Sequence, residues 1–575
     1  MRLRFALALA LMAACGEPPR ATAPATAPRQ AERAPAGTIE TKVRPGERAL
    51  AIAITATLPA VRLSFTASGP AEELTKWELG DEVPEKVTLG DGAGGALKGS
   101  IANHTLTIEG KPSKVVVSYE LAPKQPDEDP RATIVEEARF RLAGEHTLAL
   151  PAAFLQKPAA ITIDVDAKAK AGQVAGSSIG FGREKKSKEV TLPAIALQGM
   201  TFLGGAGGHA MFDAPEGNDE AAWLGYTAFD PRSVSAEVAV FRGLLHDYFR
   251  GKGAEPSTLM LVVDARPKGR FRVTRRVGGV LVALSGKDAF DARLRLAVGH
   301  ELVHAWIGDR LWLGDPTPGQ EAKTYWFHEG VARWIAREQL YRAGLLSPDE
   351  YAAEMNWHVS ILATSAHTQK THDELAAKLE PGVVPLLVAR GAIYATAIDA
   401  RIREASAKQK SLDNVLKVLV EKAEKQRRLP EDAFHSAIAA DVKADKAKET
   451  WDEIIVKGKR SAIDGNALGG CFEMREGNYD IYDPGIAVAP SREASAISGV
   501  RQGGPADKAG LKDGEKVLRI DEPSDAFPEM RVDVERNGAP TTITYRAASG
   551  TAKGPFFKRR AGLTDEACRK LALRQ

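Results

Sequence analysis

His300-Glu301-Leu302-Val303-His304 is the stretch on which the reading of this 575-residue chain turns. A spacing of four on a helix puts two side chains on one face, one turn apart. Two imidazoles so placed suit a single tetrahedral zinc. Glu301 falls beside them, where a carboxylate can take a proton from water activated at the metal and pass it to a leaving amine. The apolar spacing of Leu294, Val298, Leu302 and Trp306 predicts a helix over 290–307, with Asp288 as its N-cap. A five-residue motif is weak by itself, so its surroundings have to carry the reading.

Downstream, Tyr325-Trp326-Phe327-His328-Glu329-Gly330 opens a second helical pattern, expected over 325–341 behind a Thr324 cap. A catalytic zinc needs a third protein ligand and an open fourth position. Glu329 is the candidate for that third ligand. The turn-rich stretch Gly314-Asp315-Pro316-Thr317-Pro318-Gly319 can bring the two helices side by side. His328 is the competing ligand, about 100° round the helix from Glu329. His358, His367 and His372 form a loose group, read as solvent-facing or helix-end residues. Further helices are expected over 349–363, 387–407 and 412–424, with Ser347 and Ser411 as caps and Pro348 at a first helical position.

Upstream the texture is β. Runs at 49–58, 61–67, 114–121, 132–142 and 160–165 alternate or carry β-branched residues between Gly, Pro and Asp. Two more strands, 259–263 and 279–284, precede the metal helix. The chain therefore divides into a β-sandwich-like domain over 41–198, a zincin-like domain over 199–460, a short-stranded unit over 465–560 and a tail over 561–575.

The first residues read as a targeting segment. Arg2 and Arg4 precede the apolar run Phe5–Ala14, too short to span a bilayer. Met12-Ala13-Ala14-Cys15 resembles a bacterial lipoprotein signal, which implies cleavage before Cys15, acylation of that residue and anchoring to the cell envelope. An ordinary secretory signal is the alternative. Gly16 stands where Asp is associated with inner-membrane retention, so the outer membrane is expected over the inner. Residues 16–40, rich in Pro, Ala and Thr, read as a disordered tether. No later segment is expected to cross a membrane. Outside the cytoplasm the two other cysteines, Cys471 and Cys568, are either free or joined as a disulfide. With Lys+Arg at 78 and Asp+Glu at 75, the net charge of +3 gives no reason to expect a nucleic-acid partner.

Three stretches together resemble the glycyl aminopeptidase family of PDZ-containing zinc metallopeptidases. They are His300-Glu301-x-x-His304-x-Trp306 with Arg310, then Tyr325-Trp326-Phe327-x-Glu329-Gly330, then Arg390-Gly391-Ala392 leading to Asp399-x-x-Ile402-Arg403 and Ser411-Leu412-Asp413. The resemblance implies a multidomain α+β fold: a β N-terminal domain, a thermolysin-like and mostly helical zincin domain, and a C-terminal PDZ-like domain. It also implies one zinc, held by His300, His304 and Glu329, and hydrolysis of peptide or protein substrates. Two departures stand out. The family's oxyanion-stabilising Tyr is replaced by Val388, and Tyr394 lies almost two helical turns away. After Gly278-Gly279 the chain reads Val280-Leu281-Val282, without the carboxylate that binds a substrate amino terminus in relatives. Aminopeptidase and endopeptidase both remain open, as does a catalytically weak zincin fold that serves as a peptide-binding scaffold.

Gly499-Val500 through Gly503-Gly504-Pro505-Ala506, Ala509-Gly510-Leu511 and Gly514 to Asp521 resembles the core of bacterial PDZ domains. A short helix is expected from Pro505 and a strand over 516–520. Gly485, Ile486, Ala487 and Val488 are the candidate loop for a peptide carboxylate.

Overall fold

The computed structural model describes residues 48–573, apart from 125–128, 130, 168–172, 252–255, 267, 318, 381, 460–462 and 523–528. The signal segment, Cys15 and the tether lie outside the described residues. Contacts group the chain into two compact units that meet at Phe290 and Asp291.

In the first unit a six-stranded sheet runs in the order Lys185–Pro193, Pro158–Asp166, Ala49–Thr57, Ala60–Ser68, Lys114–Leu121, Thr88–Gly90. Its strands alternate as the sequence predicts. Leu50, Ile52 and Ile54 are buried on one face, and Leu63 and Phe65 join them from the next strand. Trp77, Leu79, Leu106 and Ile108 of a four-stranded sheet share the same core, which gives the sandwich-like arrangement. Each large apolar side chain buried there contributes about 1.5–3 kcal/mol.

A nine-stranded sheet follows, and it corrects the expected division at 198/199. The strand Thr201–Ala214 pairs back with Gln173–Ser177 and with Arg139–Ala143, so one sheet runs across that boundary. Gly217–Leu224, Thr258–Asp264 and Gly279–Ser285 continue the sheet in parallel, with the helix Pro231–Tyr248 crossing over between the first two. Asp288 lies just beyond the last of these strands. It is not a helix cap: its carboxylate accepts from Ser285 N–H at 2.8 Å and Gly269 N–H at 2.6 Å, which ties a turn.

The second unit opens with helix α1, Ala292–Val303, capped by Asp291, whose side chain accepts from Arg293 and Leu294 N–H. The expected second helix begins differently. Trp326–Val331 is one wide π turn, and it runs into the α-helix α2, Ala332–Arg342. Thr324 therefore does not cap; its hydroxyl lies 3.2 Å from His328 Nδ1. Helix α3, Pro348–Thr364, starts on Ser347 in a reciprocal cap with Glu350, with Pro348 in the first turn. Helix α4, Val383–Ala405, has the length and hydropathy of a membrane span, but most of it is buried in the core of this unit. Helix α5, Leu412–Ala423, follows the Ser411 cap.

The C-terminal module has its own small core around Ile497, Leu511, Val532 and Ile543. The helix Pro505–Lys508 and the strand Val517–Asp521 lie close to where the sequence predicts them. A long antiparallel ribbon, Phe472–Tyr482 with Ala548–Arg559, packs on α3. Asn356 of α3 holds it by two hydrogen bonds: its side-chain N–H donates to the Phe557 carbonyl at 2.8 Å, and its oxygen accepts from Phe557 N–H at 2.7 Å. Cys471 and Cys568 are joined as a disulfide, with Cα atoms 4.9 Å apart. The bond ties the start of the ribbon to helix α6, Asp565–Leu573.

Candidate metal centre

Burial and helix register set the site before any metal is considered. His300 and Glu301 on α1 and His304 at its C-cap are 0 %, 5 % and 4 % exposed. Both imidazoles are buried away from water. Glu329 reaches them from the π turn. Such turns are rare and widen the helix locally, which redirects a side chain within an otherwise α-helical run.

Two glycines let the π turn reach its place. A Cβ at Gly330 would lie 2.6 Å from Gly391 Cα and 2.8 Å from the Val388 carbonyl oxygen. A Cβ at Gly391 would lie 2.0 Å from the Trp326 carbonyl oxygen. The π turn and α4 thus cross backbone to backbone, and only hydrogen fits at the crossing.

The result is a triangle of donors. His300 Nε2 lies 3.0 Å from Glu329 Oε2, His304 Nε2 lies 3.4 Å from the same oxygen, and the two nitrogens are 3.2 Å apart. Ligands about 2.0–2.1 Å from a tetrahedral zinc stand about 3.3–3.5 Å from one another. The donor set and its spacing fit that ion. Among the described residues this is the one group of three or more His, Cys, Asp and Glu side chains placed to hold a metal. His304 is oriented from behind: its Nδ1–H donates to the Ile307 carbonyl at 3.0 Å, which leaves Nε2 as the free electron pair. Burial, and then the charge of His304, pushes His300 down to about 4, against the pull of Glu329. It is therefore a neutral ligand at any ordinary pH. Burial acts to raise the Glu329 carboxyl, but the two imidazoles outweigh it and hold the group well below the usual carboxylate range.

His328, the competing ligand, is occupied elsewhere. Leu313 N–H donates to its Nε2 at 3.0 Å, and its ring lies tilted against that of Trp312, with centres 4.2 Å apart. The other three histidines do not gather. His372 Nε2 donates to the Lys323 carbonyl at 2.7 Å, His367 faces Glu380, and His358 is buried against Glu354. His372 is a helix-end residue, the first of the helix His372–Ala377, though buried, while His358 is a core residue within α3 rather than a solvent-facing or helix-end one.

The third motif stretch proves to be scaffolding. Arg390 is fully buried and donates to the carbonyls of Ile455, Thr368 and Lys370 at 2.9–3.0 Å. Asp399 accepts from Leu412 N–H at 2.9 Å and pairs with Arg403 at 2.9 Å. Val388 is buried, and Tyr394 sits with Trp326, Phe434 and Trp451 in an aromatic cluster. In the C-terminal module, Gly485 N–H donates to Asp483 and Ala487 N–H to the Ser498 carbonyl. Ile486 is buried in the module core, and Val488 starts a short helix. Two of the four amides proposed for a peptide carboxylate are therefore already engaged. Sequence reasoning missed the π turn and the buried group Arg333, Glu354 and His358; the only sequence signal was two helical spacings of four, Glu329 to Arg333 and Glu354 to His358.

No family model matches the chain, and no curated protein does. Among solved structures, an aminopeptidase N family protein from Idiomarina loihiensis aligns at 12% identity and TM-score 0.63, over 91% of this chain and 100% of that one. An M1 zinc metallopeptidase from Deinococcus radiodurans aligns at 16% identity and TM-score 0.45, over 72% of this chain and 94% of that one. A variant of the latter bound to a Tyr-Ser-Ala substrate gives 15% identity and the same TM-score of 0.45. The chain thus has the multidomain α+β fold of the Idiomarina loihiensis protein, with a β-rich N-terminal part and a helical part that carries the metal triangle.

Proposed function

We propose that this chain is a zinc-dependent peptidase, one zinc per chain, held at the bacterial cell envelope by a lipid on Cys15. The donor triangle of His300, His304 and Glu329 carries the reading. A zinc bound there would supply a Lewis acid for the scissile carbonyl and for water. The chain's own residues do the rest. Glu301, on the same helix as both imidazoles, takes the proton from the attacking water and delivers it to the leaving amine. The burial of His300 and Glu301 keeps bulk water from competing and strengthens each charge interaction in the site. The link from His304 to the Ile307 carbonyl keeps its ring from rotating. The finer assignment, to the PDZ-containing glycyl aminopeptidases, rests on the three motif stretches. The C-terminal module then serves as a splint on α3 more than as a carboxylate receptor, since Gly485 and Ala487 already spend their N–H groups. The lipobox and Gly16 favour the outer membrane.

The test is Glu301→Gln with a peptide-library digest and metal analysis. Zinc should stay stoichiometric, while hydrolysis falls by about 10²–10⁴-fold or more. A variant that cleaves at the wild-type rate rules out this mechanism.

Val388 favours a second reading. Without a hydroxyl at that position, one oxyanion donor is missing, a loss of about 10²–10³-fold in rate where such donors have been removed. The protein would then bind zinc and peptides with little turnover. Stoichiometric zinc with no cleavage of any library peptide would select it.

A further inference from the structure

Along the helical run that carries Glu329 lies a buried ionic group for which the peptidase mechanism has no use. Arg333 stands one turn beyond Glu329, at the start of α2. Its Nε–H donates to Glu354 Oε1 of α3 at 2.6 Å, and the same oxygen lies 3.4 Å from His358 Nε2. The three side chains are 4 %, 4 % and 1 % exposed. The guanidinium carbon also lies 5.7 Å from the centre of the Trp357 ring. Burial acts to raise Glu354, and Arg333 and His358 outweigh it, so the carboxylate is charged.

Stability alone does not explain such a group. An apolar pair of the same volume usually serves a core as well or better. Its neighbour explains it. Arg333 lies four residues beyond the donor Glu329, on the unbroken helical run that the π turn opens, and it is as buried as the imidazoles. A zinc with two neutral imidazoles and one carboxylate carries a net positive charge. A lone guanidinium in the same low-dielectric region would oppose it. Glu354 removes that opposition.

We infer that Glu354 is a positioning residue for metal binding: it neutralises Arg333 and so sets the zinc affinity of the His300–His304–Glu329 site. The inference rests on the peptidase reading only in taking zinc as the ion. It predicts opposite effects from the two partners of one ion pair, which a merely structural pair would not give.

The experiment titrates the purified full chain with zinc against a chromogenic chelator, with folding checked by circular dichroism. Glu354→Gln should weaken zinc by about 10–100-fold, the usual range for residues that support metal ligands. Arg333→Met, measured at pH 8.5 where His358 is neutral, should tighten it several-fold. The double variant Arg333→Met/Glu354→Met should return close to wild type. A folded Glu354→Gln variant with wild-type affinity overturns the inference. If Glu354→Gln does not fold, Arg333→Met decides: unchanged or weaker zinc binding overturns it. His304→Ala separates the two readings. If it loses zinc while Glu354→Gln does not, this inference falls and the peptidase reading stands; a wild-type protein that takes up no zinc overturns both.

Discussion

The π turn Trp326–Val331 and helix α4 touch backbone to backbone at Gly330 and Gly391, yet they use their polar residues in opposite ways. The π turn aims Glu329 at two imidazoles and leaves the donors facing one another. Helix α4 turns Arg390 and Asp399 inward, onto backbone groups that already need a partner. Both stretches carry residues of the same sequence resemblance. A charged motif residue is thus chemical where its polar atoms converge with other donors on one point, and architectural where backbone groups or a single ion-pair partner consume them.

Substitutions can break that contrast. The largest effect belongs to the chemical side: His304→Ala should abolish stoichiometric zinc and with it all hydrolysis, read by metal analysis and a peptide digest. Arg390→Met comes next. It strands the buried Ile455 carbonyl and removes the partner of two half-buried ones, those of Thr368 and Lys370, so urea unfolding should show a loss of about 1–3 kcal/mol. The folded fraction should bind zinc as the wild type does. If it instead loses zinc while staying folded, α4 belongs with the chemistry and the contrast fails. Gly391→Ala probes the contact itself. With a Cβ 2.0 Å from the Trp326 carbonyl, overpacking of about 1–3 kcal/mol is expected, and the displaced π turn should weaken zinc as well.

The smallest effect concerns Asp399. Burial first, opposed by Arg403 and reinforced by Asp413 and Glu338, raises its carboxyl to about 6. The unfolded value is about 3.9. Between these values the folded protein holds a proton that the unfolded chain has lost. Stability therefore falls as the pH rises from about 4 to 6, and the cost is complete above 6. Asp399→Asn should raise the unfolding free energy measured in urea at pH 7 by about 1 kcal/mol after the loss of the Arg403 ion pair. At pH 4 it should raise nothing. A gain of equal size at both pH values would show that the carboxyl is not the cause.

What the sequence discloses of this molecule depends on how local the signal is. His300 and His304 are legible because a spacing of four needs only one helix. Glu329 is legible through the Trp326-to-Gly330 stretch and the need for a third ligand, although the π turn that aims it leaves no mark in the residue pattern. That same turn defeated the expected Thr324 cap, because the chain there already runs in a short 3₁₀ helix, Glu321–Thr324. The sequence points to Asp288 as the cap of the metal helix, and the structure uses Asp291. Only the loop that brings Gly269 beside Asp288 separates them. The division at 198/199 failed for a non-local reason: Thr201–Ala214 pairs with strands that precede it by tens of residues. His358 is buried because Arg333 reaches Glu354, one turn before it on α3, from α2, a contact between helices that the sequence does not display.

The clamp between Asn356 and Phe557 has a consequence for how this part of the protein opens. The Phe557 amide is held by a side chain in the middle of α3, so its proton can exchange with solvent only when ribbon and helix part. Slow exchange at that amide and along α3 should then rise and fall together under mild denaturant, as one cooperative block. The ribbon, although it is more than a hundred residues away in sequence, would report on the helix that carries Glu354 and His358.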